Sequence, residues 1–155
     1  MDITLRVGDV LLYSGTGLFS RLIRLKTWSK YSHVEIYVGD GESVASRDGI
    51  GVGLYQIRLD QLRAILRPSH DFRAVDALKW FASVEGQGYD WSGLFAFTAA
   101  KWQGRENGKQ FCSEFATRFL RAGGVDPFNG YDADGIAPGE FRKSPALTLV
   151  WCATP

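Results

Sequence analysis

A mixed α+β domain is what this sequence predicts, and three observations predict it. Short runs rich in β-branched and aromatic residues, such as GDVLLYS and SHVEIYV, read as strands. Two runs, SHVEIYV and ESVASR, are separated only by the turn formers Gly39, Asp40 and Gly41, which is a hairpin signal. Other segments carry apolar residues at spacings of three and four, the period of a helix. With 155 residues, 45% hydrophobic and 23% charged, a single domain over residues 1–155 is the economical reading.

The elements follow in order. Gly8 to Ser14 form a short strand, and Gly15 to Gly17 break it before LFSRLIRLKTW, where Leu18, Leu22 and Leu25 recur at helical spacing. The hairpin strands come next, and Gly51 to Ile57 extend the sheet. Arg63 to Pro68 form a further strand ended by its proline. Ser69 then stands where it would cap the helix DFRAVDALKWFASVEG, with Ala74, Leu78 and Phe81 as its apolar face. Tyr89 to Trp102 read as an aromatic helix and GRENGKQ as a polar loop, expected to be mobile. The helix that begins near Cys112 stops at Gly123 and Gly124. An irregular stretch runs to Gly135, Pro138 opens a short helical turn, and ALTLVWC closes as a strand.

Eighteen Lys plus Arg against seventeen Asp plus Glu leave a net charge of +1, so no global field favours nucleic acid. No run of about 18 apolar residues occurs, which predicts no integral membrane segment. The N-terminus enters a strand pattern with no secretory signature, so the expectation is a protein that is cytoplasmic as synthesised. A cell-wall target would then require delivery by a phage or secretion apparatus. Two cysteines could form one bridge at most, and Cys152, in an apolar run, reads as a packing thiol instead. Metal-ligand spacing is absent, so no metal and no cofactor is assigned.

The chemistry concentrates on Cys112 and His33. A thiol at a helix N-terminus lies near the positive end of the macrodipole, and a neighbouring imidazole can complete its activation. Phe115, Phe119 and Leu120 fall on one stripe from Cys112, which fixes the thiol at the first turn. His33 lies on a strand whose alternate residues Val34, Ile36 and Val38 are apolar, so His33 and Glu35 project together from the opposite face, which could look onto the Cys112 helix. The plainer alternatives are a small core cysteine and a hydrogen-bonded structural histidine. His70 reads as solvated or structural in the first turn of the second helix.

GDVLLYS, SHVEIYVGDG and FCSEF, in that order, resemble the circularly permuted papain-fold cysteine hydrolases related to NlpC. Within that group the chain is most similar to the YiiX/YebB branch, and more distantly to the lecithin-retinol acyltransferase branch. The resemblance implies an α+β, permuted papain-like fold, with a small antiparallel sheet packed against helices and the nucleophile, Cys112, at a helix N-terminus. It implies His33 as the base. It also implies a polar residue on the following strand to orient the imidazole, where this chain has Ala45. Asp9 resembles a recurrent position too, although turn and strand-end hydrogen bonding is its commoner explanation.

Hairpin pairing suggests a substitute for the missing polar residue. If Val38 pairs with Glu42 across a three-residue turn, Glu35 stands opposite Ala45 and has room to bend toward His33. Residues two apart on a strand are about 7 Å apart, so the competing reading is a salt bridge to Arg47. Ser46 should face away. The implied reaction is hydrolysis of an amide bond in a peptide or peptidoglycan fragment through a Cys112 thioester, with Cys112, His33 and Glu35 as the catalytic set. Hydrolysis or transfer of an acyl lipid is the alternative, favoured if Trp91, Phe95, Phe97 and Trp102 line the site. A binding module that keeps the fold without catalysis is the third reading. The oligomeric state is not set by the sequence.

Overall fold

The computed structural model describes residues 4–89 and 109–153. In chain order the elements are β1 (Val10–Tyr13), α1 (Leu18–Thr27), β2 (His33–Gly39), β3 (Glu42–Arg47), β4 (Gly51–Gln56), β5 (Leu62–Pro68), α2 (Ala74–Val84), β6 (Gly88–Tyr89), β7 (Lys109–Gln110), α3 (Cys112–Ala122), a 3-10 helix (Pro138–Lys143) and β8 (Leu147–Cys152). Six strands form one antiparallel sheet in the order β4-β3-β2-β1-β5-β8. A separate two-stranded pair, β6 with β7, is parallel. The predicted α+β class holds, with the sheet packed against helices and Cys112 at the start of one of them.

The hairpin differs from its predicted turn by compensating changes. Asp40 and Gly41 have φ of 50° and 77°, the pattern of a two-residue type I′ turn. Gly39 therefore faces Glu42, while Val38 has no partner in the ladder. The loop is one residue shorter than predicted and the bulge adds that residue back. Beyond it, Tyr37 faces Ser43 and Ile36 faces Val44, so the register continues with Glu35 opposite Ala45.

Alternation along the strands separates two cores. On one face Val10, Leu12, Val34, Ile36, Val44 and Leu66 join the residues of α2 and α3. On the other, Leu11, Tyr13, Leu62 and Ile65 pack with Tyr37 and Trp151. The α2–α3 contact is aromatic: Phe115 lies 5.6 Å from Trp80 and 6.3 Å from Phe81, centroid to centroid. Burial of Phe115 contributes about 1.5–3 kcal/mol, and its stripe with Phe119 and Leu120 is fully buried as the spacing predicted. Phe72 also stacks near Phe119 at 5.9 Å. A Cβ on Gly123 would fall 2.1 Å from a Phe72 ring atom, so the end of α3 needs glycine for close approach.

Several local expectations are corrected. The second helix begins at Ala74, and its N-cap is Arg73 with no side-chain cap bond. Ser69 is engaged elsewhere: its N–H donates to Ala146 O at 2.9 Å and its hydroxyl meets Thr148 at 3.0 Å. The buried residues of α2 are Ala77 and Phe81, whereas Leu78 is exposed. His70 lies before the helix and is exposed. In α1, Ile23 is buried while Leu22 and Leu25 face solvent. Cys152 is half-buried, and both cysteines are free thiols. The predicted aromatic helix from Tyr89 to Trp102 and the GRENGKQ loop lie outside the described residues, except for Tyr89, Lys109 and Gln110 in short strands.

Candidate active site

β7 delivers the chain to Phe111, and α3 begins one residue later at Cys112. The Glu114 carboxylate turns back to accept the Phe111 N–H at 3.1 Å, the backward half of a capping box. The first turn of α3 is thereby fixed on both sides of the thiol. Cys112 itself is fully buried and belongs to the helix-side core. The helix packs on the face of Val34 and Ile36, not on the face of Glu35 as the alternation had suggested.

His33 resolves that difference by its place at the first residue of β2. It pairs with Tyr13 across the ladder, their ring centroids 6.2 Å apart. Its Nε2 lies 3.1 Å from Glu35 Oε1, which leaves Nδ1 as the ring nitrogen available to the thiol. Burial pulls the His33 pKa down. The charge and hydrogen bond of Cys112, followed by those of Glu35, overcome that pull and raise it to about 9. The imidazole thus joins a sulfur on one side of the sheet to a carboxylate on the other.

Glu35 is fully buried and accepts from four side chains. Oε1 receives His33, Arg47 Nε at 2.9 Å and Arg58 Nη2 at 3.1 Å, and Oε2 receives Ser43 Oγ at 2.6 Å. Burial alone would raise the carboxyl pKa, but His33 and Arg47 hold it well below the usual carboxylate range. The contacts to His33 and to Arg47, which the sequence posed as alternatives, coexist. Arg47 also stacks 4.2 Å over the Tyr55 ring, and Arg58 lies 5.1 Å over Tyr13.

A cleft of about 410 Å³ opens beside His33, bordered by Tyr13, Thr16, Arg47, Asp48 and Arg58. Burial raises the Asp48 carboxyl pKa against the opposing pull of His33. The Tyr13 hydroxyl stays protonated, because burial and the neighbouring Glu35 charge both raise its pKa. Ser43, Arg58, Asp48 and Tyr13 escaped sequence reasoning. Ser43 was findable, since the hairpin register puts it on the Glu35 face; Arg58 reaches in from the loop after β4 and carries no local signal.

Of the remaining candidates, Ala45 is fully buried and Ser46 lies on the helix side of the sheet with Val44. Asp9 accepts the Arg6 N–H at 2.8 Å and both arms of Arg67 at 2.8 Å each, a strand-end tie. His70 borders a separate hollow with Asp126 and Gly124. Trp91, Phe95, Phe97 and Trp102 lie outside the described residues. Among the described residues no group of three or more His, Cys, Asp or Glu is placed to hold a metal ion, and no helix is long and apolar enough to cross a membrane.

Comparison with protein-family models and with curated sequences finds no match. Comparison with solved structures finds the crystal structure of YiiX from Escherichia coli O157:H7, titled a metalloprotein of DUF1105. The likeness has a TM-score of 0.72 at 16% identity, over 97% of this chain and 98% of that one. The two share a fold along nearly their whole lengths.

Proposed function

We propose that this chain is a thiol-dependent hydrolase of amide bonds in peptides or peptidoglycan fragments, kin to the permuted NlpC-like enzymes. Cys112 is its nucleophile, His33 its base and Glu35 the residue that orients His33. The observation that carries the reading is the double engagement of His33, with Glu35 at Nε2 and Cys112 as its other partner. Such a chain of nucleophile, base and orienting carboxylate is what covalent acyl transfer requires.

Cys112 would give its thiol proton to His33 and its sulfur would attack the acyl carbon, forming a C–S bond as the carbonyl electron pair moves to oxygen. The Cys112 N–H, at the open start of α3, can donate to that oxyanion. Collapse breaks the C–N bond, and the leaving amine takes its proton from His33. Water then attacks the thioester and gives a proton to His33; the C–S bond breaks, the acid leaves, and the sulfur recovers its proton from His33. The E. coli protein is titled a metalloprotein, but the described residues here offer no ligand cluster, so no step is assigned to a metal.

The complete burial of Cys112 favours a second reading, a binding module that keeps the fold. Trapping separates the two. Protein incubated with cell-wall fragments should gain the mass of an acyl group on Cys112, and Cys112→Ala should lose both adduct and turnover. Iodoacetamide should label Cys112 unusually fast near neutral pH. A thiol of ordinary reactivity, unchanged by His33→Ala, would establish the binding module instead. Undiminished turnover in Glu35→Gln would remove Glu35 from the mechanism.

A further inference from the structure

The outward face of α1 takes no part in the core or in the candidate site. Leu22, Leu25 and Trp28 are 39%, 72% and 96% exposed, while Ile23 holds the helix to the core. On a helical projection Arg21, Leu22, Leu25 and Trp28 occupy one side, away from Ile23. Trp28 is the C-cap and adopts φ 49°, the left-handed conformation that helix ends usually give to glycine or asparagine. A bulky aromatic side chain is thus held in water at a position that tolerates it poorly.

The charged side chains of this segment have one sign. From Ser14 to Val34 the sequence contains Arg21, Arg24, Lys26 and Lys30 and no Asp or Glu. Arg24 is hydrogen-bonded to the neutral Ser14 hydroxyl, and Lys30 lies over the Tyr31 ring. Neither they nor Arg21 have an acidic partner among the described residues. In a chain with a net charge of +1, this is a local concentration of positive charge. Leucine and tryptophan on a basic, amphipathic helix match the requirements of a bilayer interface, where apolar side chains enter the acyl boundary and cations meet anionic headgroups. A nucleic-acid surface would instead present polar donors between its cations.

We infer that α1 docks this protein on an anionic lipid surface through Leu22, Leu25 and Trp28, with Arg21, Arg24 and Lys30 supplying the electrostatic attraction. The opposite edge of the same helix, at Gly17, Ser20 and Ile23, borders the cleft beside His33, and Ile50, 72% exposed, borders it too. Docking would therefore bring the cleft close to the lipid. Binding by α1 stands independently of the chemistry proposed for Cys112, and its test does not use turnover.

The test is co-sedimentation of the whole chain with phosphatidylcholine vesicles, with and without phosphatidylglycerol as about a third of the lipid. Partition onto the anionic vesicles should exceed that onto neutral ones by about tenfold or more and should fall in high salt. Brominated lipids should quench tryptophan fluorescence in the parent protein and less in Trp28→Phe. Leu25→Glu, at an exposed site that leaves folding intact by circular dichroism, should abolish binding. Background sedimentation with both vesicles, or Leu25→Glu binding as well as the parent, would overturn the inference. So would concentration-dependent self-association that Leu25→Glu removes, in the absence of vesicle binding.

Discussion

On its helix side the sheet meets α2 and α3 through Val34, Ile36 and Val44 against Phe115 and Phe119; on its other side the same strands carry Glu35 among Arg47, Arg58 and Ser43. The first face is held by area removed from water, a term without direction and insensitive to pH. The second is held by a buried charge that needs every partner in place. Because neighbouring residues of β2 belong to opposite faces, a register slip of one residue would exchange the two environments and ruin both. His33, at the end of the strand, is where the two kinds of order meet.

The largest effects should come from breaking each face in turn. Glu35→Ala leaves two guanidinium groups without their carboxylate and should cost about 3–5 kcal/mol near neutral pH by denaturant unfolding. Phe115→Ala should cost a similar amount, about 3–5 kcal/mol, through loss of packing. Acid distinguishes them. The folded Glu35 pKa is depressed, so its contribution is present above the ordinary carboxylate pKa and is lost as pH falls through the folded value. The Glu35→Ala deficit should shrink in acid while the Phe115→Ala deficit stays level.

An intermediate effect is expected at the junction. The raised His33 pKa depends first on Cys112 among the groups that favour its charge. In Cys112→Ala the imidazole titration, followed by NMR, should move down from about 9 by more than about one unit. Its stabilising contribution is complete below the ordinary histidine value of 6.5 and is lost as pH rises through about 9. An unmoved titration would show that sulfur and ring do not interact.

The smallest effect belongs to Glu114, which is buried, paired with Arg118 at 2.7 Å and next to Asp134. Burial and Asp134 raise its pKa against the pull of Arg118 and of the Phe111 N–H. A carboxyl with a raised folded pKa stabilises in its protonated form, and that contribution fades as pH rises from the ordinary carboxylate range toward neutrality. Glu114→Gln, which keeps an acceptor for Phe111, should change stability by no more than about 1 kcal/mol. It should also flatten the melting temperature across that pH range.

What could be read from the sequence follows the same division. The hairpin, the limits of β3 and the Phe115–Phe119–Leu120 stripe were legible because period and turn chemistry are local. The direction of α1 was not: spacing shows that Leu22 and Leu25 share a face, but only tertiary packing decides where that face points. Ser69 had the chemistry of a cap but was taken by the pairing of its backbone with Ala146. The pairing of His33 with Glu35 could be reached through the register opposite Ala45, although the strand end that brings His33 to Cys112 could not. Arg58 joins Glu35 across 23 positions of sequence, and composition cannot foresee such a convergence.

The parallel pairing of β6 with β7 has a consequence for how this fold can diversify. Gly88 is held beside Lys109 and Tyr89 beside Gln110, so the chain departs and returns at neighbouring points. Closure entropy makes the length between two such fixed ends a minor term, since each doubling costs only about 0.6 kcal/mol. Downstream of the pair a single residue, Phe111, leads to Cys112. Insertion or deletion between the two strands would thus leave the strand bearing His33 unchanged and keep α3 anchored to the end of β7.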